Sequence, residues 1–237
     1  MRVLDIDMDF FQSDIHFGGD DSSLHLIDDS FSVWEEERFI DFIENRCGLS
    51  LDKPLRGRIF NSHVETYWFC KELMDKGELC CPFHITHIDA HSDLAFSMST
   101  QNYRFFKSFA LENKQRFNDG TMFEVPENQA FIDSGSYLLA MALNRWLNKI
   151  EYVYHPDLDA LDVADYIVKC TVPNQKFKFA FFDDRTTIPN LSLETIYPTD
   201  YQSAEPFDFV CVAISPAYTV KEIEKLVTVI KRYIIEI

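Results

Sequence analysis

Basic residues are scarce in this chain of 237 residues: 22 Lys and Arg stand against 39 Asp and Glu, a formal net charge of −17. That deficit argues against a nucleic-acid backbone or an anionic membrane surface as partner. It is compatible with a cationic substrate or with metal ions, and most of the acid excess reads as a solvating surface. Seven Gly and nine Pro are too few for a collagen-like or linker-rich chain. No run reaches about 18 apolar residues, so no membrane span is expected. The start, Met1-Arg2-Val3-Leu4-Asp5, lacks the apolar run and small-residue cleavage site of a secretory signal. The six cysteines, Cys47, Cys70, Cys80, Cys81, Cys170 and Cys211, are scattered, and adjacent Cys80-Cys81 has no zinc-ligand spacing. They read as buried thiols in a reducing cytoplasm. What is present, 46% hydrophobic and 26% charged residues, is a globular composition, and the length fits one domain over 1–237.

Strand and helix patterns alternate along the chain. Val3 to Phe11 alternates apolar and acidic, with Asp5, Asp7 and Asp9 on one face and Leu4, Ile6, Met8 and Phe10 on the other. Residues 12–30 are turn-rich and read as a surface loop. Ser32 with Glu35 signals a capping box for a helix from Val33 to about Arg46, ended by Gly48. Arg58 to Phe60 is a short strand. Val64, Tyr67, Trp68, Phe69 and Leu73 form an apolar helical face that Gly77 terminates. Phe83 to Ile88 is a strand, and residues 94–133 have no clear period. A buried helix is expected over 136–148, a strand over 150–154, a helix over 158–169, and strands over 177–182 and 207–214. Thr219 with Glu222 would cap a last helix reaching about Ile234. The alternation predicts an α/β domain, a mostly parallel sheet with helices on both faces.

Three polar clusters lie where strands end: Asp5, Asp7 and Asp9; His63 with Glu65; and Asp89, His91 and Asp93. In open α/β sheets, ligands bind beyond the carboxyl ends of the strands, so the clusters are expected on one rim. Alternating acids also describe a solvated strand face, and a lone histidine more often packs or caps. Together, however, five or six converging carboxylates would repel one another unless cations intervened. A carboxylate–imidazole donor set without thiolates suits Mn, Fe or Zn.

The segment His87-Ile88-Asp89-Ala90-His91-Ser92-Asp93 resembles the Asp-Ala-His-x-Asp motif of the ureohydrolases, the arginase and agmatinase superfamily. Val3-Leu4-Asp5-Ile6-Asp7 resembles that superfamily's other metal strand, and His63 its first histidine ligand. The full set, with Asp9-Phe10-Phe11 and Asn61-Ser62-His63-Val64-Glu65, is similar to an atypical branch that includes peptide arginases. The resemblance implies an arginase/deacetylase-like fold with rearranged strand order and a site for two Mn2+ ions. Its ligands would be His63, Asp89, His91 and Asp93 with two of Asp5, Asp7 and Asp9: either Asp5 with Asp7 or, nearer the carboxyl end of the strand and so favoured, Asp7 with Asp9. It also implies conversion of arginine to ornithine in a ribosomally made precursor peptide, with release of urea.

The departures from that pattern matter. The Asp-x-Asp strand comes first in the chain, and no His follows Asp93 until His155. In Val212-Ala213-Ile214-Ser215-Pro216, Ala213 stands where ordinary arginases carry the acid that holds the guanidinium. Glu65, Asp183 and Asp184 are therefore candidate guanidinium carboxylates, and His87 and His155 candidate proton shuttles. Helix first-turn placement of Glu65, a turn for the Asp pair and core packing of His87 are the plainer readings. Tyr103, Phe105, Phe106, Phe109, Phe117 and Phe123 would offer a peptide-docking surface or simply core. A small-molecule guanidino hydrolase, a metallophosphoesterase and a non-catalytic metal-stabilised module are the rival expectations.

Overall fold

A computed structural model describes residues 1–17, 24–28, 30–94, 132–158, 176–180 and 187–237. Its centre is a single sheet of eight strands: β1 (Arg2–Asp7), β2 (Leu55–Phe60), β3 (Phe83–Asp89), β4 (Leu147–Tyr154), β5 (Lys176–Ala180), β6 (Thr187–Ile196), β7 (Phe209–Ala213) and β8 (Ile234–Glu236). The order is β5-β6-β4-β3-β1-β7-β2-β8. Seven strands run parallel, and β5 pairs antiparallel with β6 at one edge. The α/β architecture expected from the sequence is the observed one.

Four α-helices are described: α1 (Glu36–Asp41), α2 (Glu65–Asp75), α3 (Tyr137–Leu143) and α4 (Glu224–Ile230). One core sets Tyr67, Phe69 and Leu73 of α2 and all of α3 against Val3, Ile85, Ile150 and Tyr152. The other sets Phe39 of α1 and Leu226, Val227 and Ile230 of α4 against Leu4, Ile6, Ile88 and Val212. Successive residues of a strand face opposite sides. Val3 packs towards α2 and α3, so Asp5 and Asp7 lie on that side. The chain leaves β1 in one direction to reach β2 and crosses to its other side for β3, so β1 sits at a topological switch point.

Several expected elements differ in extent. The first strand stops at Asp7, and Met8–Phe11 form a 3-10 turn. No capping box forms at Ser32: Ser32 and Trp34 are drawn into backbone bonds with Ser13 and Phe11, and the helix starts only after Glu35. Its second half, Phe42–Arg46, is π-helical. The helix expected over 136–148 ends at Leu143, because Arg145 turns left-handed (φ 59°) and β4 begins at Leu147. Thr219 does not cap α4. Its hydroxyl donates to the carbonyls of Ile214 and Ser215, and a short 3-10 turn precedes the helix. The last residues leave the helix to pair with β2 as β8. The sequence reading assigned no element to β6. Trp68 is exposed on α2, where Cys70 is buried instead. Cys80 is exposed rather than buried, while Cys47, Cys70 and Cys211 are buried free thiols. Of the helix expected over 158–169 only Leu158 is described, and Cys170 and residues 95–131 lie outside the described residues. No helix among the described residues is long and apolar enough to cross a membrane.

Gly77 adopts φ 72° just beyond α2, the left-handed stop that glycine makes without strain. Gly57 has a different reason: a Cβ there would fall 2.0 Å from the Val210 carbonyl oxygen on β7. Gly57→Ala should therefore separate β2 from β7 and cost about 1–3 kcal/mol, read as a lower midpoint in thermal denaturation. An unchanged midpoint would contradict this close approach.

Candidate metal centre

The three clusters meet on one rim, at the carboxyl ends of β1, β2 and β3. Asp7 ends β1, and its Oδ1 accepts a hydrogen bond from the Asp9 amide at 3.1 Å. That contact shapes the 3-10 turn that brings Asp9 round to the same site. Beyond β3, the His91 amide donates to Asp89 Oδ1 at 2.7 Å, and Asp93 adopts φ 49°. Aspartate tolerates this left-handed backbone better than most residues. The tight turn folds Asp93 back beside Asp89. His63 follows β2 and sits just before α2.

The donor atoms fall into overlapping groups. His63 Nδ1 lies 3.1 Å from Asp7 Oδ2, 3.0 Å from Asp89 Oδ2 and 3.1 Å from Asp93 Oδ2. His91 Nδ1 lies 3.0 Å from Asp9 Oδ2 and 3.7 Å from Asp89 Oδ1. Asp89 thus presents one oxygen to each histidine. Asp7, His63 and Asp89 form one candidate ligand group, Asp9, Asp89 and His91 another. Although surrounded, His63 Nδ1 and Asp89 Oδ2 are buried and make no hydrogen bond. Buried polar atoms left without a hydrogen bond are costly unless another partner satisfies them. Separations near 3 Å match neighbouring ligands around an octahedral ion held at about 2.1 Å. The residues present fit a site for two metal ions, and the donor set does not fix their identity.

Electrostatics agree with this arrangement. Burial pushes the Asp9 carboxyl well above its usual range, and Asp7 and Asp89 push it further. Burial and neighbouring Asp89 bring Asp93 up to about 7. Burial would lower the imidazoles, but the carboxylates win. His63 is raised well above its ordinary value, mostly by Asp5, and His91 likewise by Asp89 and Asp9. Protons therefore supply positive charge among the acids, and metal binding would displace them.

Asp5 has a different place from its two neighbours on the strand. It is fully buried, and its carboxylate accepts from four side chains. Thr66 Oγ1 (3.0 Å) and His63 Nε2 (3.1 Å) meet Oδ1; His87 Nδ1 (3.0 Å) and the Tyr137 hydroxyl meet Oδ2. Burial works against its charge, but His63 and His87 hold it well below the usual carboxylate range. A carboxylate only accepts, so His63 carries its proton on Nε2 and turns Nδ1 to the acids. His91 follows the same logic, its Nε2 donating to the His16 carbonyl at 3.0 Å. Outer partners that fix the tautomer are the usual support of metal-binding histidines.

The proposed helpers fare differently. His87 is buried beneath the cluster, donating from Nδ1 to Asp5 and from Nε2 to the His91 carbonyl at 3.1 Å. Both nitrogens donate, which fits a pKa raised to about 9 against burial by Asp89 and Asp5. It acts as a fixed positive charge. His155 donates from Nε2 to the Gln12 carbonyl and accepts at Nδ1 from the Asp157 amide. Burial lowers its pKa. Neither histidine has a ring nitrogen left over for shuttling. Glu65 is exposed and accepts from the Ser62 amide at 3.2 Å, the plain role of a first-turn acid. Asp183 and Asp184 lie outside the described residues.

Sequence reasoning missed Thr66, Tyr137 and Ser215, whose hydroxyl donates to Asp7 Oδ2 at 2.5 Å. Tyr137 carries the one hydroxyl in the otherwise aliphatic segment Tyr137–Leu143, a signal visible in advance. Ser215 has φ 50° immediately after β7, and only the backbone reveals that.

The fold and site thus define an α/β domain with a buried Asp/His cluster that could hold two metal ions. Compared with protein-family models, curated proteins and solved structures, the chain matches none of them.

Relief of carboxylate crowding makes metal binding stabilising. Saturating Mn2+ at 100 times its dissociation constant should add about 2.7 kcal/mol, seen as a higher melting midpoint that a chelator reverses and Asp89→Asn abolishes. No midpoint change would remove the metal centre. Tyr137→Phe deletes one donor to Asp5 and should weaken metal retention by about 10–100-fold in a chelator competition. Retention equal to the parent protein would detach Tyr137 from the site.

Proposed function

We propose that the chain is a binuclear metal-dependent hydrolase that converts peptidyl arginine to ornithine and urea during maturation of a ribosomally made peptide. The observation that carries the hydrolase reading is Asp89, whose two oxygens face the two separate histidine groups. We assign His63, Asp7, Asp89 and Asp93 to one ion and His91, Asp9 and Asp89 to the other. Asp5, saturated by four donors, orients His63 and His87. The arginase-like spacing of the ligand motifs supports the guanidino substrate, and Mn2+ follows from the same likeness.

Two divalent ions held there would make a hydroxide nucleophile available at neutral pH. The chain's own residues hold the surroundings in place. With ions bound, His63 and His91 would present a deprotonated Nδ1 while donating from Nε2, and Ser215 pins Asp7. Net reaction adds water across the guanidinium carbon and breaks its bond to the side-chain nitrogen, leaving an amine and urea. Ala213, buried at the end of β7, offers no acid to grip free arginine in the ordinary way. That absence favours a substrate held elsewhere, as a peptide would be.

Incubating the Mn2+-loaded protein with arginine-containing peptides should release urea and give the mass loss of arginine-to-ornithine conversion. Asp89→Asn should reduce both to background. Urea from free arginine alone would favour a small-molecule guanidino hydrolase, and phosphate release from aryl phosphates a metallophosphoesterase. Metal uptake with no turnover of any of these would leave a metal-stabilised binding module.

A further inference from the structure

Of the candidate ligands, His91 is the most exposed. Its side chain is 19% exposed, against 6% or less for Asp7, Asp9, His63, Asp89 and Asp93. Two rings stand around it. Phe17 meets the imidazole edge-on at 5.6 Å and 88°, and Tyr218 does so at 5.4 Å and 67°. They come from opposite ends of the chain. Phe17 follows His16, whose carbonyl receives the His91 Nε2 proton and whose ring lies 6.1 Å from Tyr218. Tyr218 ends the 3-10 turn after β7, and its carbonyl accepts from Gln12 Nε2 at 2.7 Å. Both rings therefore stand against His91.

Phe17 is the unusual member, since 65% of it is exposed beside a buried, acid-lined centre. A large exposed aromatic gains nothing from the core. Ring faces carry negative potential, so the collar offers a cation a favourable surface. A flat, delocalised, weakly hydrated cation stacks on such rings better than a compact ammonium does. Glu65 is turned to the Ser62 amide, and Ala213 has no polar group, so neither competes for that role.

We infer that Phe17 and Tyr218 form an aromatic collar that selects the guanidinium side chain of a peptide on its way to the metal centre. This inference rests on the guanidino-hydrolase reading of the same site. It makes Phe17 a specificity-determining residue.

The test separates the two. Binding of fluorescent peptides differing only in arginine, citrulline or lysine is measured by anisotropy on the full chain after chelation, so that no turnover occurs. The parent protein should prefer arginine to both others. Phe17→Leu should lower arginine-peptide affinity by about 3- to 10-fold and leave the citrulline peptide unchanged, while Phe17→Trp should restore the preference. No preference in the parent, or equal loss of arginine and citrulline peptides in Phe17→Leu, would overturn the collar. Manganese content by equilibrium dialysis should be the same in all three proteins; loss of manganese in Phe17→Leu would count against a purely selective role. If the arginine preference holds and depends on Phe17 while the Mn2+-loaded protein releases no urea, the hydrolase reading fails and the collar stands.

Discussion

Five aspartates crowd one rim of the sheet, and the rest of the site is arranged around that crowding. Like charges this close cannot all remain ionised in a buried site unless positive charge is supplied. The chain supplies part of it through His63, His87 and His91. Asp9 and Asp93 are driven towards their neutral forms, while Asp5 is kept charged by four donors. The buried Nδ1 of His63 and Oδ2 of Asp89 make no hydrogen bond and lie where a cation would fit.

The architecture makes this crowding tolerable. β1 lies in the middle of the sheet between β3 and β7, covered on both faces, so its acids are shielded from water but reach neighbours on every side. α2 contributes Thr66 and α3 contributes Tyr137, both directed at Asp5. The loop beyond β1 and the turn beyond β7 add His16, Phe17 and Tyr218 around His91. Candidate ligands, their orienting groups and the rings around His91 thus come from different elements.

The legible parts were those written in local pattern. Alternation in β1, the apolar face and glycine stop of α2, and the apolar run into Asp89 have short-range causes, so their elements and faces could be read directly. β8 and β6 were not legible, because three residues ending a helical segment and a run interrupted by Pro189 become strands only through pairing with β2 and β4. The capping box at Ser32 failed for the same kind of reason: pairing with residues 11–13 outcompeted the local signal.

For the site, the sequence by itself determined which residue types would gather and at which strand ends, since motif spacing and strand alternation place Asp7, His63, Asp89, His91 and Asp93 on one rim. It favoured Asp7 and Asp9 over Asp5 only by their place nearer the end of the strand. Only the tertiary structure separated them, because their difference lies in partners 58 to 208 residues away along the chain: His63, Thr66, His87 and Tyr137 for Asp5, Ser215 for Asp7 and His91 for Asp9. The hydrogen-bond donors around a buried carboxylate decide whether its oxygens are already taken or still open to a cation, and no local pattern encodes them.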